Sequence, residues 1–292
     1  MKEEIFRGVG TAIATPFTDN GINYEEFGNL LDDQIEAGVS AVIVCGTTGE
    51  SATMSEEERK KLIKYTIDRI ANRIKVIVGT GSNNTMQAIK MSQFAEEAGA
   101  DGLLVVTPYY NKTTQDGLVA HYKAIADSVS APIILYNVPS RTGMNILPET
   151  CYKLSQIDNI VGIKEASGDI SQVAKIAYLC GNDFSIYSGN DDQVVPILSL
   201  GSKGVISVLS NVMPEYTVDM VNSYFSGHTV RAGRMQVEAL DLINALFCEV
   251  NPIPVKYVLN EMGYDFGKPR LPLVELSDSN KEKVNKVLKK YL

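Results

Sequence analysis

The segment IVGIKEASG, residues 160–168, places a lysine at the end of an apolar run. Lysine side chains are rarely fully buried, so an ammonium group at a strand end usually points into solvent. If Lys164 lies instead in an enclosed site, burial disfavours the ammonium form. A neutral amine attacks a ketone or an aldehyde to form an imine, which withdraws electrons and lets the adjacent carbon lose a proton. The segment alone leaves both interpretations open and favours the solvent-exposed one.

Imine chemistry moves a proton at every step, so it needs hydroxyl groups beside the amine. Several apolar runs end in such groups: Thr47 and Thr48 in GTTGES, Tyr109 and Tyr110 in TPYYN, and Tyr136 in IILYN. The hydroxyls of Tyr136 and Thr48 are suitable for a proton relay. A structural interpretation is about as good as the functional one in both cases: Tyr136 could be a half-buried tyrosine at a strand end, and the threonines could belong to a strand-terminating turn.

Three further polar features have both a structural and a functional interpretation. Arg141, in the loop NVPSRTG, is either solvated or binds a carboxylate through two nitrogens. Asp191 and Asp192 in SGNDDQ could suggest a metal site, but carboxylates in the first turn of a helix are the favoured interpretation. His121 lies in the helical pattern GLVAHYKAIAD and is interpreted as a surface or packing residue. With two histidines and four scattered cysteines in the chain, the sequence predicts no metal centre.

Eight short runs rich in β-branched residues must position these side chains, and a helical pattern follows each run. They span residues 8–17, 40–46, 75–80, 101–108, 132–137, 160–166, 184–189 and 203–208. Most are continuously apolar, as expected for parallel strands buried on both faces. Eight alternating strand–helix units predict an α/β fold, a (β/α)8 TIM barrel, with its active site at the carboxyl ends of the strands. The alternative is a doubly wound open sheet, but the loop GTGSNN at 79–84 lacks the third glycine of a dinucleotide motif.

The strand pattern stops near residue 225, which divides the chain into two predicted parts. A catalytic barrel covers residues 1–224, and a small three-helix segment covers residues 225–292. Earlier in the chain, Ser55 and Glu58 have the spacing of a capping box at the start of a helix.

Composition restricts the partners and the location of the protein. The 292-residue chain has 27 basic and 35 acidic residues, a formal net charge of −8, which argues against nucleic acid or an anionic membrane as a partner. No apolar run is long enough to span a bilayer, and the N-terminus lacks a signal-peptide pattern. With its dispersed cysteines, the chain is predicted to be cytoplasmic. The loops after the last two predicted strands, SGNDDQ and SVLSNVMP, carry no basic residue, so a phosphorylated substrate is not expected.

The motifs GTTGES, TPYYN, YNVPSRTG and GIKEASGD occur in an order and at spacings that resemble the dihydrodipicolinate synthase family of pyruvate-dependent class I aldolases. The family also includes N-acetylneuraminate lyase, and the resemblance covers nearly the whole chain. GTTGE and the strand-end lysine are shared across the family and do not identify the substrate. Arg141 is more specific, because it matches the arginine with which the synthases bind the carboxylate of their second substrate.

The resemblance implies a role for each candidate residue. Lys164 would form an imine with pyruvate, and the backbone around Thr47 and Thr48 would hold the pyruvate carboxylate. The proton relay would consist of Tyr136, Thr48 and Tyr110, the last reaching in from a neighbouring subunit. The positions of Gly189 and Ile206 match residues that line the pyruvate pocket.

The resemblance also implies a reaction and an assembly. Pyruvate would condense with aspartate 4-semialdehyde to 4-hydroxy-tetrahydrodipicolinate, on the route to diaminopimelate and lysine. No metal or organic cofactor would be needed, because the imine is the electron sink. The expected assembly is a homotetramer built from two dimers. Two alternatives stay open: a lyase for N-acetylneuraminate or a 2-keto-3-deoxy sugar acid that uses the same lysine, and a barrel that binds without catalysis.

Feedback-inhibited relatives bind lysine in a crevice at the dimer interface. The matching positions here are Ser51, Ala52, Glu56, Arg59, Asn83, Gln87 and Tyr109. In those relatives the position of Gln87 is a glutamate that pairs with the ammonium group of the ligand. A neutral amide there predicts weak inhibition by lysine, or none.

Overall fold

The computed structural model describes Lys2 and residues 4–291, and its centre is a closed barrel of parallel strands. The described residues form the strands β1 (Gly8–Ala12), β2 (Phe17–Thr18), β3 (Gly21–Ile22), β4 (Ala41–Val44), β5 (Lys75–Gly79), β6 (Gly102–Val106), β7 (Ile133–Asn137), β8 (Ile160–Glu165), β9 (Ser185–Ser188) and β10 (Gly204–Ser207). Strands β1 and β4–β10 close in the order β1-β10-β9-β8-β7-β6-β5-β4, while β2 and β3 form a separate hairpin. The predicted TIM barrel is confirmed, and the open doubly wound sheet is excluded.

Helices follow the barrel strands and then continue beyond the barrel. They are α1 (Tyr24–Glu36), α2 (Glu56–Ile70), α3 (Thr85–Ala98), α4 (Gln115–Ala126), α5 (Pro139–Thr142), α6 (Pro148–Ser155), α7 (Ile170–Cys180), α8 (Val194–Leu198), α9 (Pro214–Phe225), α10 (Thr229–Glu238), α11 (Leu240–Leu246), α12 (Ile253–Glu261) and α13 (Asp278–Leu288). The predicted capping box is present, because Ser55 accepts from the Glu58 amide and Glu58 accepts from the Ser55 amide. It satisfies two backbone donors at the start of α2.

The strands are buried on both faces, as their continuous apolar runs predict. One set of alternate residues, including Ile43, Ile77, Leu104 and Ile206, packs in a cluster inside the barrel. The other set packs outward against the helices in a larger core. Since a one-residue shift would exchange these two faces, the alternation fixes which side chains point into the barrel.

The C-terminal part differs in detail from the prediction. In the described part of the chain, four helices follow α9 where the sequence predicted three, because the helical stretch 229–246 is divided at Ala239 into α10 and α11. Residues of α11 and α12 belong to the same core as the barrel helices. The division at 224/225 therefore stays a proposal about domain organisation. In the described part of the chain, no helix combines the length and apolar character needed to cross a membrane.

Candidate active site

Strand pairing places the candidate nucleophile beside the candidate relay tyrosine. Tyr136 on β7 pairs in register with Lys164 on β8, which in turn pairs with Tyr187 on β9. Lys164 is only 5% exposed, and its Nζ lies 4.4 Å from the centroid of the Tyr136 ring. The electron-rich face of a tyrosine ring attracts an amine in its cationic form. The structure decides the question raised by IVGIKEASG: the lysine at the end of this strand is enclosed.

Two residues are predicted to line the pocket: Gly189 lies just after β9, and Ile206 lies on β10. A Cβ on Gly189 would lie 3.1 Å from Cε of Lys164 and 2.7 Å from Cβ of Ala166. A side chain at Gly189 would therefore clash with Ala166 and press against the lysine, so glycine at this position leaves room for Lys164. Ile206 is fully buried on β10, in the same cluster inside the barrel as Tyr136.

The turn after β4 holds the two threonines. It begins near Cys45 and ends at Glu50, and both have left-handed backbone conformations with φ of 56° and 54°. Thr48 is 2% exposed, and its Oγ1 accepts a hydrogen bond of 3.0 Å from Nδ2 of Asn251. Thr47 is half-buried in the same turn. The partner of Thr48 is thus a residue of the C-terminal segment, more than two hundred positions along the chain.

A buried ion pair between Glu50 and Lys256 holds the end of the same turn in place. The Glu50 carboxylate accepts from Nζ of Lys256 at 2.8 Å and from the backbone N–H of Arg270 at 3.0 Å. Both side chains of the pair are fully buried. Burial lowers the pKa of Lys256, and the Glu50 charge opposes that shift. A turn at GTTGES could be predicted from the sequence, but no local pattern indicates that its glutamate pairs with α12.

Arg141 and Tyr110 lie at the outer edge of the site. Arg141 is on the short helix α5, is exposed, and donates from a terminal guanidinium nitrogen to the backbone oxygen of Asn251 at 3.1 Å. Tyr110 has φ of 70° and is 92% exposed, so a single chain does not pack it against the enclosed Lys164. Within the described part of the chain, no hydrogen bond joins the hydroxyls of Thr48, Tyr136 and Tyr110. The predicted relay is therefore not assembled in one chain alone.

Two buried carboxylates that the sequence did not assign to the site brace the strand ends around Lys164. Asp191 opens a short 3-10 turn, as predicted, and accepts from Ser207 Oγ and from the amides of Val208 and Leu209 at 2.5–3.0 Å. Burial raises the pKa of Asp191, while the nearby Lys164 acts in the opposite direction. Such a group holds the loops after β9 and β10 together at the rim.

The second carboxylate, Glu165, follows Lys164 directly. It accepts from Asn137 Nδ2 at 2.9 Å, from the Ser167 amide at 2.6 Å and from Gln172 Nε2 at 3.1 Å. Burial raises the pKa of Glu165. Because Glu165 and Asn137 are paired across β7 and β8, the network fixes the two strand ends that carry the lysine and the tyrosine.

The remaining candidates lie elsewhere. His121 is buried in α4, where its Nδ1 lies 3.0 Å from Thr85 Oγ1, and burial lowers its pKa. This is the packing role that the sequence suggested. Among the residues that the structure describes, no three His, Cys, Asp or Glu side chains are grouped so as to hold a metal ion.

A closed (β/α)8 barrel with an enclosed lysine at the rim, beside a strand-end tyrosine, defines the class of imine-forming class I lyases. The family model described as the dihydrodipicolinate synthetase family matches residues 5–291. The chain belongs to this family.

Individual relatives are similar over almost the whole chain. A protein of Thermoanaerobacter sp. (strain X514), named 4-hydroxy-tetrahydrodipicolinate synthase, is 56% identical over 288 residues, which cover 98% of this chain and 97% of that one. The crystal structure of dihydrodipicolinate synthase from Thermotoga maritima has a TM-score of 0.96 at 47% identity and covers 98% of this chain and 99% of its own. The synthase of Cyanidioschyzon merolae with lysine bound has a TM-score of 0.95 at 38% identity, with 98% of both chains covered.

Proposed function

We propose that this protein condenses pyruvate with aspartate 4-semialdehyde to 4-hydroxy-tetrahydrodipicolinate, a step of the diaminopimelate and lysine pathway. The observation that carries the proposal is the enclosure of Lys164 beside Tyr136, 4.4 Å from the ring centroid. Membership of the dihydrodipicolinate synthetase family and the names of the relatives support the same substrates.

The proposed reaction begins at the lysine. The neutral amine of Lys164 attacks the ketone carbon of pyruvate, and loss of water gives the protonated imine. Loss of a methyl proton then gives the enamine, whose carbon attacks the aldehyde and forms the new C–C bond. The amino nitrogen of the second substrate closes the ring on the imine carbon and releases Lys164 as an amine. The C–C bond step leaves the aldehyde oxygen as the hydroxyl of the product.

The other candidate residues have supporting roles in this proposal. The turn at Thr47 and Thr48 binds the pyruvate carboxylate, while Gly189 and Ile206 line the space around the imine. Thr48 and Tyr136 move protons, and Tyr110 of a neighbouring subunit completes the relay. Arg141 binds the carboxylate of the aldehyde substrate through its guanidinium. No metal or organic cofactor takes part.

We also propose a cytoplasmic homotetramer made of two dimers. The 92% exposure of Tyr110 supports an assembly in which a second chain covers this residue. The substrates are small molecules, and neither nucleic acid nor a membrane is a proposed partner. The negative charge of the chain supports this.

The test of the proposal is covalent trapping. Borohydride treatment in the presence of pyruvate is expected to add one reduced pyruvyl group per chain, at Lys164, as located by peptide mass spectrometry. Lys164→Ala is expected to abolish the adduct. The matched control is Lys175→Ala, which removes an exposed lysine on α7. Full trapping by Lys164→Ala would show that the nucleophile is another residue, and rapid cleavage of N-acetylneuraminate by the native protein would show that the substrate is wrong.

A further inference from the structure

Asn251 joins the two ends of the candidate site. It lies between α11 and α12, is 5% exposed, and belongs to the C-terminal segment rather than to a barrel strand. Its Nδ2 donates to Thr48 Oγ1 at 3.0 Å, and its backbone oxygen accepts from the guanidinium of Arg141 at 3.1 Å. One residue thus contacts both the turn proposed for pyruvate and the arginine proposed for the second substrate.

The side-chain oxygen of Asn251 has no protein partner. Oδ1 is buried and accepts no hydrogen bond from any residue that the structure describes. Most buried side-chain acceptors in folded proteins are satisfied, so an exception calls for a specific explanation. Here the side-chain amide nitrogen and the backbone oxygen of the residue are both engaged with proposed substrate-binding residues. The missing donor therefore fits a substrate group that arrives between Thr48 and Arg141.

We propose that Oδ1 of Asn251 binds the ammonium group of the amino-aldehyde substrate, an inference that rests on the proposed function. In that substrate the ammonium and carboxylate groups are attached to the same carbon, so their binding groups must be neighbours. Arg141 donates to Asn251 itself, which places the guanidinium next to the proposed ammonium acceptor. Asn251 and Arg141 together then recognise the α-amino acid end of the aldehyde.

A neutral amide suits the chemistry that follows. A carboxylate beside an ammonium group favours its charged form, whereas an amide oxygen accepts a hydrogen bond without adding a negative charge. The amine must lose a proton before its nitrogen attacks the imine carbon and displaces Lys164. Asn251 can therefore orient the amino group without opposing that proton loss.

The test compares two aldehydes that differ only in the amino group, aspartate semialdehyde and succinate semialdehyde. Because succinate semialdehyde has no amino nitrogen to release Lys164, the rates are measured in a single turnover. For each aldehyde, the second-order rate constant for loss of the preformed pyruvate imine is obtained by borohydride quenching and mass spectrometry, and the ratio of the two constants is compared between proteins. Asn251→Ala removes the acceptor and should reduce this ratio about 10- to 100-fold relative to the native protein, the range for losing one hydrogen bond to a charged group. Any effect of the lost Thr48 contact applies to both aldehydes and cancels in the ratio.

Two further variants separate the roles of the side chain. Asn251→Asp keeps an acceptor, which is now charged, but loses the Nδ2 donor. The ratio for the C–C bond step should therefore be no lower than in the native protein, even if both rates fall. Asn222→Ala, at an exposed position on α9, should leave the ratio and both rates unchanged.

Several results would contradict the role proposed for Asn251. An unchanged ratio in an Asn251→Ala protein that still traps pyruvate would overturn it. If that variant does not trap pyruvate, the native protein and Asn251→Asp decide. Equal single-turnover rate constants for the two aldehydes in the native protein, or loss of the preference in Asn251→Asp, would overturn it. Failure of the native protein to trap pyruvate would instead refute the proposed function.

Discussion

At the scale of single residues, burial makes Lys164 a candidate nucleophile. The same lysine at the solvent end of a strand would be an ordinary surface cation, because water stabilises its charge. Here Tyr136 and Gly189 enclose it, and the buried Asp191 lies close enough for the lysine charge to affect its titration. The residue types could be identified in the sequence, but their enclosure could not, since it depends on strand register and on a glycine just after the neighbouring strand β9.

Arg141 gives the prediction that belongs to this scale. Arg141→Ala is expected to raise the KM for aspartate semialdehyde about 10- to 100-fold, because a charge-assisted contact to the carboxylate is lost. Trapping of pyruvate at Lys164 should remain near the native level. Initial rates at saturating pyruvate measure the first effect, and borohydride adduct yield measures the second. Arg141→Lys serves as the comparison, because it keeps the charge without the planar guanidinium. Its KM for aspartate semialdehyde should lie between those of the native protein and Arg141→Ala.

Equal loss of pyruvate trapping and of aldehyde use in Arg141→Ala would contradict this assignment. It would indicate that the arginine supports the fold of the rim through its bond to Asn251 rather than binding the second substrate.

At the scale of elements, the sequence predicted the barrel well and the C-terminal contacts poorly. Continuous apolar runs with helical patterns between them are local signals, and all eight barrel strands lie within the predicted runs. By contrast, the bond from Asn251 to Thr48 and the pair of Lys256 with Glu50 join residues more than two hundred positions apart. No local pattern encodes such a contact. From the sequence, the C-terminal segment is therefore interpreted as a helical addition to the barrel, although in the structure it holds the turn at Thr48 in place.

The Glu50–Lys256 pair gives a prediction at this scale. Lys256→Met should lower the free energy of unfolding by about 3–5 kcal/mol, because it leaves Glu50 buried without a counter-charge. The double variant Glu50→Gln/Lys256→Met should be more stable than Lys256→Met alone, since no unpaired charge remains. Urea unfolding followed by circular dichroism measures both.

The control for this pair is Lys123→Met, which breaks an exposed ion pair with Asp127 on the surface of α4. Its effect should stay below about 1 kcal/mol, as for most surface pairs. If Lys256→Met is no more destabilised than this control, the buried pair does not anchor the turn, and the C-terminal segment has no such role.

At the scale of the whole molecule, the proposed site is incomplete in one chain, because Tyr110 is 92% exposed. We expect mixtures of inactive Tyr110→Phe and Lys164→Ala subunits to recover activity. In a hybrid dimer, the Tyr110→Phe chain supplies Lys164 and its partner supplies Tyr110, so one of two sites is intact. Random exchange makes about half of the dimers hybrid, giving roughly one quarter of the native activity. Proven subunit exchange without any recovery would place Tyr110 outside the relay.

Regulation by the pathway product is the last property that depends on the assembled molecule. Gln87 on α3 is exposed and carries no charge, and Ser82 donates to its Oε1 at 3.2 Å. Glu56 would be the alternative partner for the ammonium group of lysine, but it pairs with Lys60 at 2.5 Å, and this hydrogen bond lowers the pKa of Glu56. A carboxylate is therefore absent at position 87, and the carboxylate of Glu56 is already paired with Lys60. Free lysine should inhibit the native protein weakly or not at all.

An initial-rate titration with lysine at saturating pyruvate measures this, with Gln87→Glu as the informative variant. The new carboxylate replaces a neutral hydrogen bond by a charge-assisted one, which is about twice as strong, so Gln87→Glu should become more sensitive to lysine. Gln93→Glu, at an exposed position on the same helix, adds the same charge away from Gln87 and should leave the sensitivity unchanged. Half-inhibition of the native protein well below millimolar lysine would mean that Glu56 leaves Lys60 to bind the ligand. In that case the charge at position 87 would not control inhibition in this protein.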